Sequence, residues 1–159
     1  PVLQKNGFTA TCYAVSSPHE GRNAWDEGIG MPQKPLFTPD DMHAWVAAGM
    51  ELGAHTRHHA DLTAVDATTA QDEIVGCKRE LEATIGQEVR HFCYPYGRYT
   101  PQIRDMVQAA GYLSATTVQR SRVLASDHPF ELPRVMIART NHLLLFAMKV
   151  LYGYEDARR

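Results

Sequence analysis

Three histidines crowd into five positions of the stretch GAHTRHHADLT, residues 53 to 63: His55, His58 and His59. His55 and His59 stand four apart. On a helical turn that spacing puts two imidazoles on one face, about 5–6 Å apart at Cβ, close enough to share a metal ion. The plainer alternative is a polar loop rich in histidine. A zinc-protease helix would need a glutamate directly after the first histidine as general base, and Thr56 holds that place. A second stretch, RHFCYPYGRYT at residues 90 to 100, carries a different kind of chemistry. A strand that runs into Tyr94-Pro95-Tyr96-Gly97 stops pairing abruptly, which frees backbone N–H groups to point into a cleft and stabilise an oxyanion. Its plainer reading is a strand exit with aromatic packing.

The elements that must position these residues follow from periodicity and caps. Residues 8–15, FTATCYAV, are rich in β-branched and aromatic side chains and read as a buried strand. Residues 16–37 hold Gly, Pro and polar residues without periodicity, which implies a long loop around Trp25. A helix then opens with Thr38 as N-cap, Pro39 at the first helical position and Asp41 at N3, with Met42, Trp45 and Val46 inward. MELGAHT is a short strand that ends in the histidine cluster. Asp66 opens the clearest helix, where Ala70, Ile74, Cys77, Leu81 and Ile85 recur at helical spacing and Gly86 supplies the stop. HFCYPYG is a strand broken by Pro95 and Gly97. Thr100-Pro101 opens a helix with Ile103, Val107 and Ala110 inward. YLSATTV and ELPRVMI are strands, and Asn141 caps a final, strongly apolar helix.

Strands alternating with helices imply a parallel sheet with helical crossovers, an α/β layout that closes into a barrel or stays an open sheet. Either form brings the C-terminal ends of the strands to one face. The histidine cluster and the Tyr94–Gly97 turn both fall there.

The whole chain bounds these readings. At 159 residues it is one domain's worth, read as a single domain over 1–159. A formal charge of −2 gives no electrostatic case for nucleic acid or an anionic membrane. The run HLLLFAMKVLYGY is interrupted by Lys149 and is too short to span a bilayer. Three widely spaced cysteines, Cys12, Cys77 and Cys93, with no CxxC, argue against a disulfide framework or a structural zinc knuckle. Composition leaves the compartment open, cytoplasmic or exported. The chain opens on Pro1 rather than Met, so a processed or truncated polypeptide is expected.

GMELGAHTRHHADLT, then VRHFCYPYGRYT, GYLSATT and LPRVMI, resemble in order and separation the polysaccharide deacetylases with the NodB homology domain, carbohydrate esterase family 4. The opening PVLQKNGFTATCYAV is similar to the helix and second strand of that fold, so the resemblance covers almost the whole chain. It implies a distorted (β/α) barrel and a divalent metal, most often zinc, held by one aspartate and two histidines. The histidines map onto His55 and His59. Thr56 falls in a Ser/Thr slot, where its hydroxyl can brace the turn, and His58 on a variable position, in contact with the ligands or facing solvent. Tyr96 takes the place whose backbone N–H serves the oxyanion, with Tyr94 and Pro95 beside the substrate.

The pattern also departs from the family. The Asp-Asp motif, which carries the catalytic base and the third metal ligand, has no match; by the family order it is expected upstream of Pro1. Asp40–Asp41 caps a helix in the wrong place. Cys93 replaces an arginine common in the third motif. Arg134 of LPR resembles a substitute for it, with a strand-end surface ion pair as the alternative. The Leu-x-His motif of the general acid is not recognisable; His142 lies in its region, beside the Asn141 cap.

The resemblance implies metal-dependent removal of N-acetyl groups from an N-acetylated polysaccharide or glycan precursor. The rival readings are a non-catalytic carbohydrate-binding relative and a hydrolase of a small cyclic amide on the same fold. Lacking the first strand, the chain as given is expected to bind metal poorly, to be inactive, and to self-associate through exposed strand edges.

Overall fold

The computed structural model describes residues 2–18, 21–28 and 30–153. A short helix, α1 (Val2–Lys5), leads into β1 (Thr11–Ala14). There follow α2 (Pro39–Ala47), β2 (Glu51–Ala54), α3 (Ala67–Ile85), β3 (His91–Cys93), α4 (Pro101–Ala109), β4 (Ser114–Arg120), β5 (Leu132–Arg134) and α5 (Leu143–Tyr152). The strands pair in sequence order, β1-β2-β3-β4-β5, and every pairing is parallel. The fold is therefore the α/β arrangement expected, with five strands in one sheet whose edges among the described residues are β1 and β5. Four of the five strands are shorter than their sequence patterns, and β4 is as long as its pattern but set two residues later.

Local chemistry sets the helices. Thr38 and Asp41 form a reciprocal capping box at the start of α2, each side chain taking the other's backbone N–H. Asp66 caps α3 through the Thr69 N–H, and Gly86 ends it in the left-handed conformation at φ 66°. The inward face of α3 is buried as its periodicity predicts, with Ala70, Ile74, Cys77, Leu81 and Ile85 packed in the core. Burying a side chain such as Ile74 or Leu81 contributes about 1.5–3 kcal/mol relative to exposure. Phe92, Tyr94 and Tyr112 make an aromatic cluster beneath this helix. The two phenols are satisfied by carbonyls, Tyr94 Oη donating to Phe130 at 2.9 Å and Tyr112 Oη to Ile74 at 3.0 Å.

The last helix differs from expectation. His142, not Asn141, is its N-cap: the His142 Nδ1 accepts the Leu145 N–H, and Asn141 Oδ1 instead accepts the Ala138 N–H. Its one charged residue, Lys149, turns inward and donates to the Met136 carbonyl at 3.0 Å, while Leu143, Leu144 and Leu151 face outward. No helix among the described residues is long and apolar enough to cross a membrane.

One close approach fixes the register that presents the histidine stretch. Gly53 stands opposite Tyr13 in the β1–β2 ladder, and a Cβ there would meet the Tyr13 ring at 2.6 Å and the His91 carbonyl at 3.1 Å. Gly53→Ala must displace the ring or spread the strands. We expect it to lower stability by about 1–3 kcal/mol, the range for overpacking a filled site, as measured by urea unfolding; an unchanged midpoint would show that Tyr13 simply swings away.

Candidate active site

The chain leaves β2 at Ala54 still tied to its neighbour. His55 donates its N–H to Ala14 at 2.9 Å, and the next residues of the first loop return the favour, Ser16 N–H to Thr56 and Ser17 N–H to Arg57. The histidines do not lie on a helical turn. Thr56 and His59 take positive φ, 65° and 60°, and these two kinks fold the segment back so that the imidazoles converge. The rings of His55 and His59 lie 4.7 Å apart between centroids at 75°. His55 donates Nδ1–H to the Cys93 carbonyl at 2.6 Å, which leaves the Nε2 lone pair free. His59 is held differently. Its Nδ1 is buried with no hydrogen-bond partner, and its ring is stacked on Trp25 and met edge-on by Tyr96 at 4.8 Å.

A carboxylate from α3 secures this turn. Glu73, only 5% exposed, accepts the N–H of Arg57 at 2.9 Å and of His58 at 3.0 Å on one oxygen, and pairs with His58 Nδ1 at 2.6 Å on the other. His58 is thereby a brace of the turn beside the two converging rings. Arg57 adds bonds to Glu80 and Asp72, and Ser16 donates to Glu80 as well. The bracing role expected of the Thr56 hydroxyl is not observed: Oγ1 is fully buried and unpartnered, and Glu73 takes the neighbouring amides instead. Glu73 is not among the residues the sequence singled out. Its signal was there, a charged residue on the inward face between Ala70, Ile74 and Cys77.

The Tyr96 turn forms the opposite wall. Tyr96 sits at φ 56°, ψ 5°, between Gly97 N–H bonded to Tyr94 O and Arg98 N–H bonded to Pro95 O. Its own amide finds no main-chain acceptor among the described residues. Tyr94 and Pro95 do not flank this cleft as expected. Both are under 2% exposed, because the strand's alternation carries Tyr94 into the aromatic core, where it stacks on Tyr99 at 4.8 Å. Arg134 donates Nε–H to the Thr117 carbonyl at 2.7 Å and makes no ion pair among the described residues. Its charge reaches Cys93. Burial pushes the Cys93 thiol up, but a hydrogen bond with His55 and the charges of His55 and Arg134 outweigh this and hold it below the ordinary thiol range. His142 stays exposed at the start of α5, with no contact to His55, His59 or Tyr96 among the described residues.

Thr56, His59 and Tyr96 are the three non-glycine residues with positive φ among those described. Such strain gathers where surrounding structure over-determines it, commonly at functional sites. Two converging imidazoles, one with a free Nε2 and one with an orphaned buried nitrogen, fit the nitrogen share of a catalytic divalent-metal site. Among the described residues no third His, Cys, Asp or Glu completes the set.

Comparison with known proteins places this chain in a family. The family model described as polysaccharide deacetylase matches residues 1–115. The chain belongs to the polysaccharide deacetylase family. It is 22% identical over 138 residues to YxkH of Bacillus subtilis (strain 168), provisionally named a polysaccharide deacetylase; the match covers 87% of this chain and 45% of that protein. Its fold is similar to that of the Streptococcus pyogenes deacetylase PplD solved in complex with acetate, with a TM-score of 0.79 at 20% identity, over 93% of this chain and 61% of that one. It is also similar to a de-N-acetylase from Aggregatibacter actinomycetemcomitans, with a TM-score of 0.69 at 15% identity, over 92% and 66% of the two chains. The chain thus spans less than half the length of its curated relative.

Two expectations follow from the site. Glu73→Ala strips two part-buried backbone N–H groups of their acceptor, and a hydrogen bond to a charged group is worth about 1.5–3 kcal/mol. It should lower stability by about 3 kcal/mol in urea unfolding, and Glu73→Gln by less; equal stability in both variants would remove Glu73 from its bracing role. The second concerns pH. Burial, and then the charge of His55, push His59 down to about 4, with Asp26 opposing. An unfolded histidine titrates near 6.5, so the unfolded chain takes the proton first. The stabilisation from neutral His59 is complete above about 6.5 and is lost as pH falls through about 4. Imidazole proton shifts of the metal-free chain should place the His59 midpoint near 4; a midpoint near 6.5 would contradict its burial.

Proposed function

We propose that the protein hydrolyses N-acetyl groups of an N-acetylated polysaccharide or glycan precursor, with a divalent metal, zinc first among candidates, held by His55 and His59. The observation that carries this reading is the convergence of those two rings, with the Tyr96 ring against His59 and the Tyr96 amide without a main-chain acceptor among the described residues. Zinc, when bound, supplies Lewis acidity and brings the pKa of its water toward about 7.

The chain's own residues do the rest. His55, fixed by its Nδ1–H bond to Cys93, presents Nε2 in one orientation. His59 stays neutral at pH 7, so its lone pair is available without competition from a proton. Tyr96 N–H donates to the negative charge that develops on the acetamide oxygen during attack, a contribution typically worth about 3–4 kcal/mol in such sites. Hydrolysis adds one water across the C–N bond, its oxygen to the acyl carbon and a proton to the departing nitrogen, and so releases acetate and the sugar amine. Neither ligand histidine acts as the base, since its lone pair is committed. The base and third ligand are the aspartates that the family resemblance assigns to a strand preceding β1. Arg134, close to Cys93 in its electrostatic reach, is the candidate for orienting that base. His142, its Nδ1 spent on a helix cap, is left out of the scheme.

The test compares this chain with one extended upstream by roughly a strand and a helix, about 25–30 residues by the usual size of such a unit. Zinc content and acetate release from an N-acetylglucosamine oligomer are measured for both, and for His55→Ala and His59→Ala in the extended protein. We expect near-stoichiometric zinc and turnover in the extended protein alone, both lost in either variant. Acetate release that survives loss of either histidine would overturn the proposal, as would sugar binding without turnover in the extended protein.

A further inference from the structure

We infer that Trp25 is the positioning residue of His59, taking by ring stacking the part that a hydrogen bond to the second ring nitrogen takes at His55. This rests on the proposed metal reading for its purpose, though not for its geometry. A ligand histidine ordinarily donates its other N–H to a carbonyl or carboxylate, which fixes tautomer and ring plane. His55 follows that rule through Cys93 O. His59 does not: its buried Nδ1 has no partner. What it has is the indole of Trp25, whose ring lies 4.2 Å away between centroids and 11° from parallel. The edges of His55 and Tyr96 close the remaining sides at 4.7 and 4.8 Å. Flat stacking restrains ring plane and rotamer together, while leaving both nitrogens free of a competing donor or acceptor.

Trp25 can do this because its own position is fixed. It lies in a single 3-10 turn, Ala24–Asp26, inside the long first loop. Asn23 staples that turn: its side-chain amide donates to Asp26 at 2.8 Å and to Pro32 O at 3.2 Å, and its Oδ1 accepts the Lys34 N–H. The loop's ends are held by Leu36 N–H to Gly21 O at 2.9 Å and Ser17 N–H to Arg57 O at 2.9 Å. The second bond lands on the histidine turn itself. Trp25 also covers the face of His59 that would otherwise admit water, and it brings Asp26, whose charge is felt by both His59 and Tyr96.

The experiment reads rotamer and metal separately. Histidine side chains are labelled in the 159-residue chain without metal, and three-bond couplings report the χ1 populations of His55 and His59 in the unaltered chain, Trp25→Ala and Trp25→Phe. We expect His59 to be a single rotamer in the unaltered chain, averaged in Trp25→Ala and restored by Trp25→Phe, with His55 unchanged throughout. A single fixed His59 rotamer in Trp25→Ala overturns the inference, whatever happens to metal. Zinc Kd is then measured in the upstream-extended protein by competition with a chromophoric chelator. Trp25→Ala should weaken it by about tenfold or more, the range for removing an outer support, and Trp25→Phe by no more than about threefold. Extended protein that binds no zinc sinks the functional proposal, and the couplings still decide the role of Trp25. Circular dichroism melts of each variant separate local loosening from unfolding.

Discussion

The buried carboxylate of Glu73 is the contact on which the site's geometry depends. Backbone at positive φ leaves consecutive N–H groups pointing the same way, with no strand or helix to receive them. At the histidine turn the orphans are the amides of Arg57 and His58, and one oxygen of Glu73 takes both. A charged acceptor is needed because two donors share one atom in a poorly solvated place, where an unmade hydrogen bond is costly. The helix that supplies Glu73 is the longest among the described residues, capped at both ends and packed along its inner face. A rigid, independently stabilised element therefore holds a segment that could not keep its own shape.

The strain so held is concentrated. A non-glycine residue in the left-handed region costs about 1–3 kcal/mol, and Thr56, His59 and Tyr96 all adopt it within one cleft. Glycines at those positions would remove the strain and the function of the side chains together. His59 needs its imidazole, and Tyr96 puts a ring edge against it. The same kinks that cost stability aim the groups. At Tyr96 the turn takes the amide out of the sheet, and at His59 it swings the ring back over His55. The orphaned Thr56 hydroxyl and His59 Nδ1 are further costs of that folding back, and they lie within the same few residues.

Much of this was legible in the residues, and the limits of legibility have physical causes. Helix starts were readable because caps are local: Thr38, Asp66 and Thr100 each bond the amide three residues on. Spacing correctly paired His55 with His59, though by the wrong geometry, since a helical turn and a doubly kinked loop can bring residues four apart together equally well. The choice of His142 over Asn141 as cap turns on a one-residue shift that both side chains could satisfy. Tyr94 and Pro95 were misplaced because the motif marks a turn of backbone, and side-chain direction there depends on where the strand's alternation ends. Glu73 and Trp25 escaped for another reason. Each acts across a gap of more than a dozen residues in sequence, and nothing local distinguishes a buried bracing glutamate from a solvated one, or a loop tryptophan on a ligand from one on the core.

The end of β3 joins two parts of the site through covalent geometry. Cys93 carries the carbonyl that orients His55, and Tyr96, three residues on, carries the unpaired amide. Between them lie Tyr94 and Pro95, both buried: the first is pinned by its phenol to Phe130 O, and the second lacks an N–H and has a fixed φ. The separation between a proposed metal ligand and a proposed oxyanion donor is thus set by a short, stiff stretch of chain. The burial of Tyr94 and Pro95 is what makes that spacer stiff. In the proposed function the Tyr-Pro-Tyr-Gly sequence would act through two backbone groups, the carbonyl before it and the amide within it. The buried side chains of Tyr94 and Pro95 hold those two groups apart, while the Tyr96 ring packs against His59.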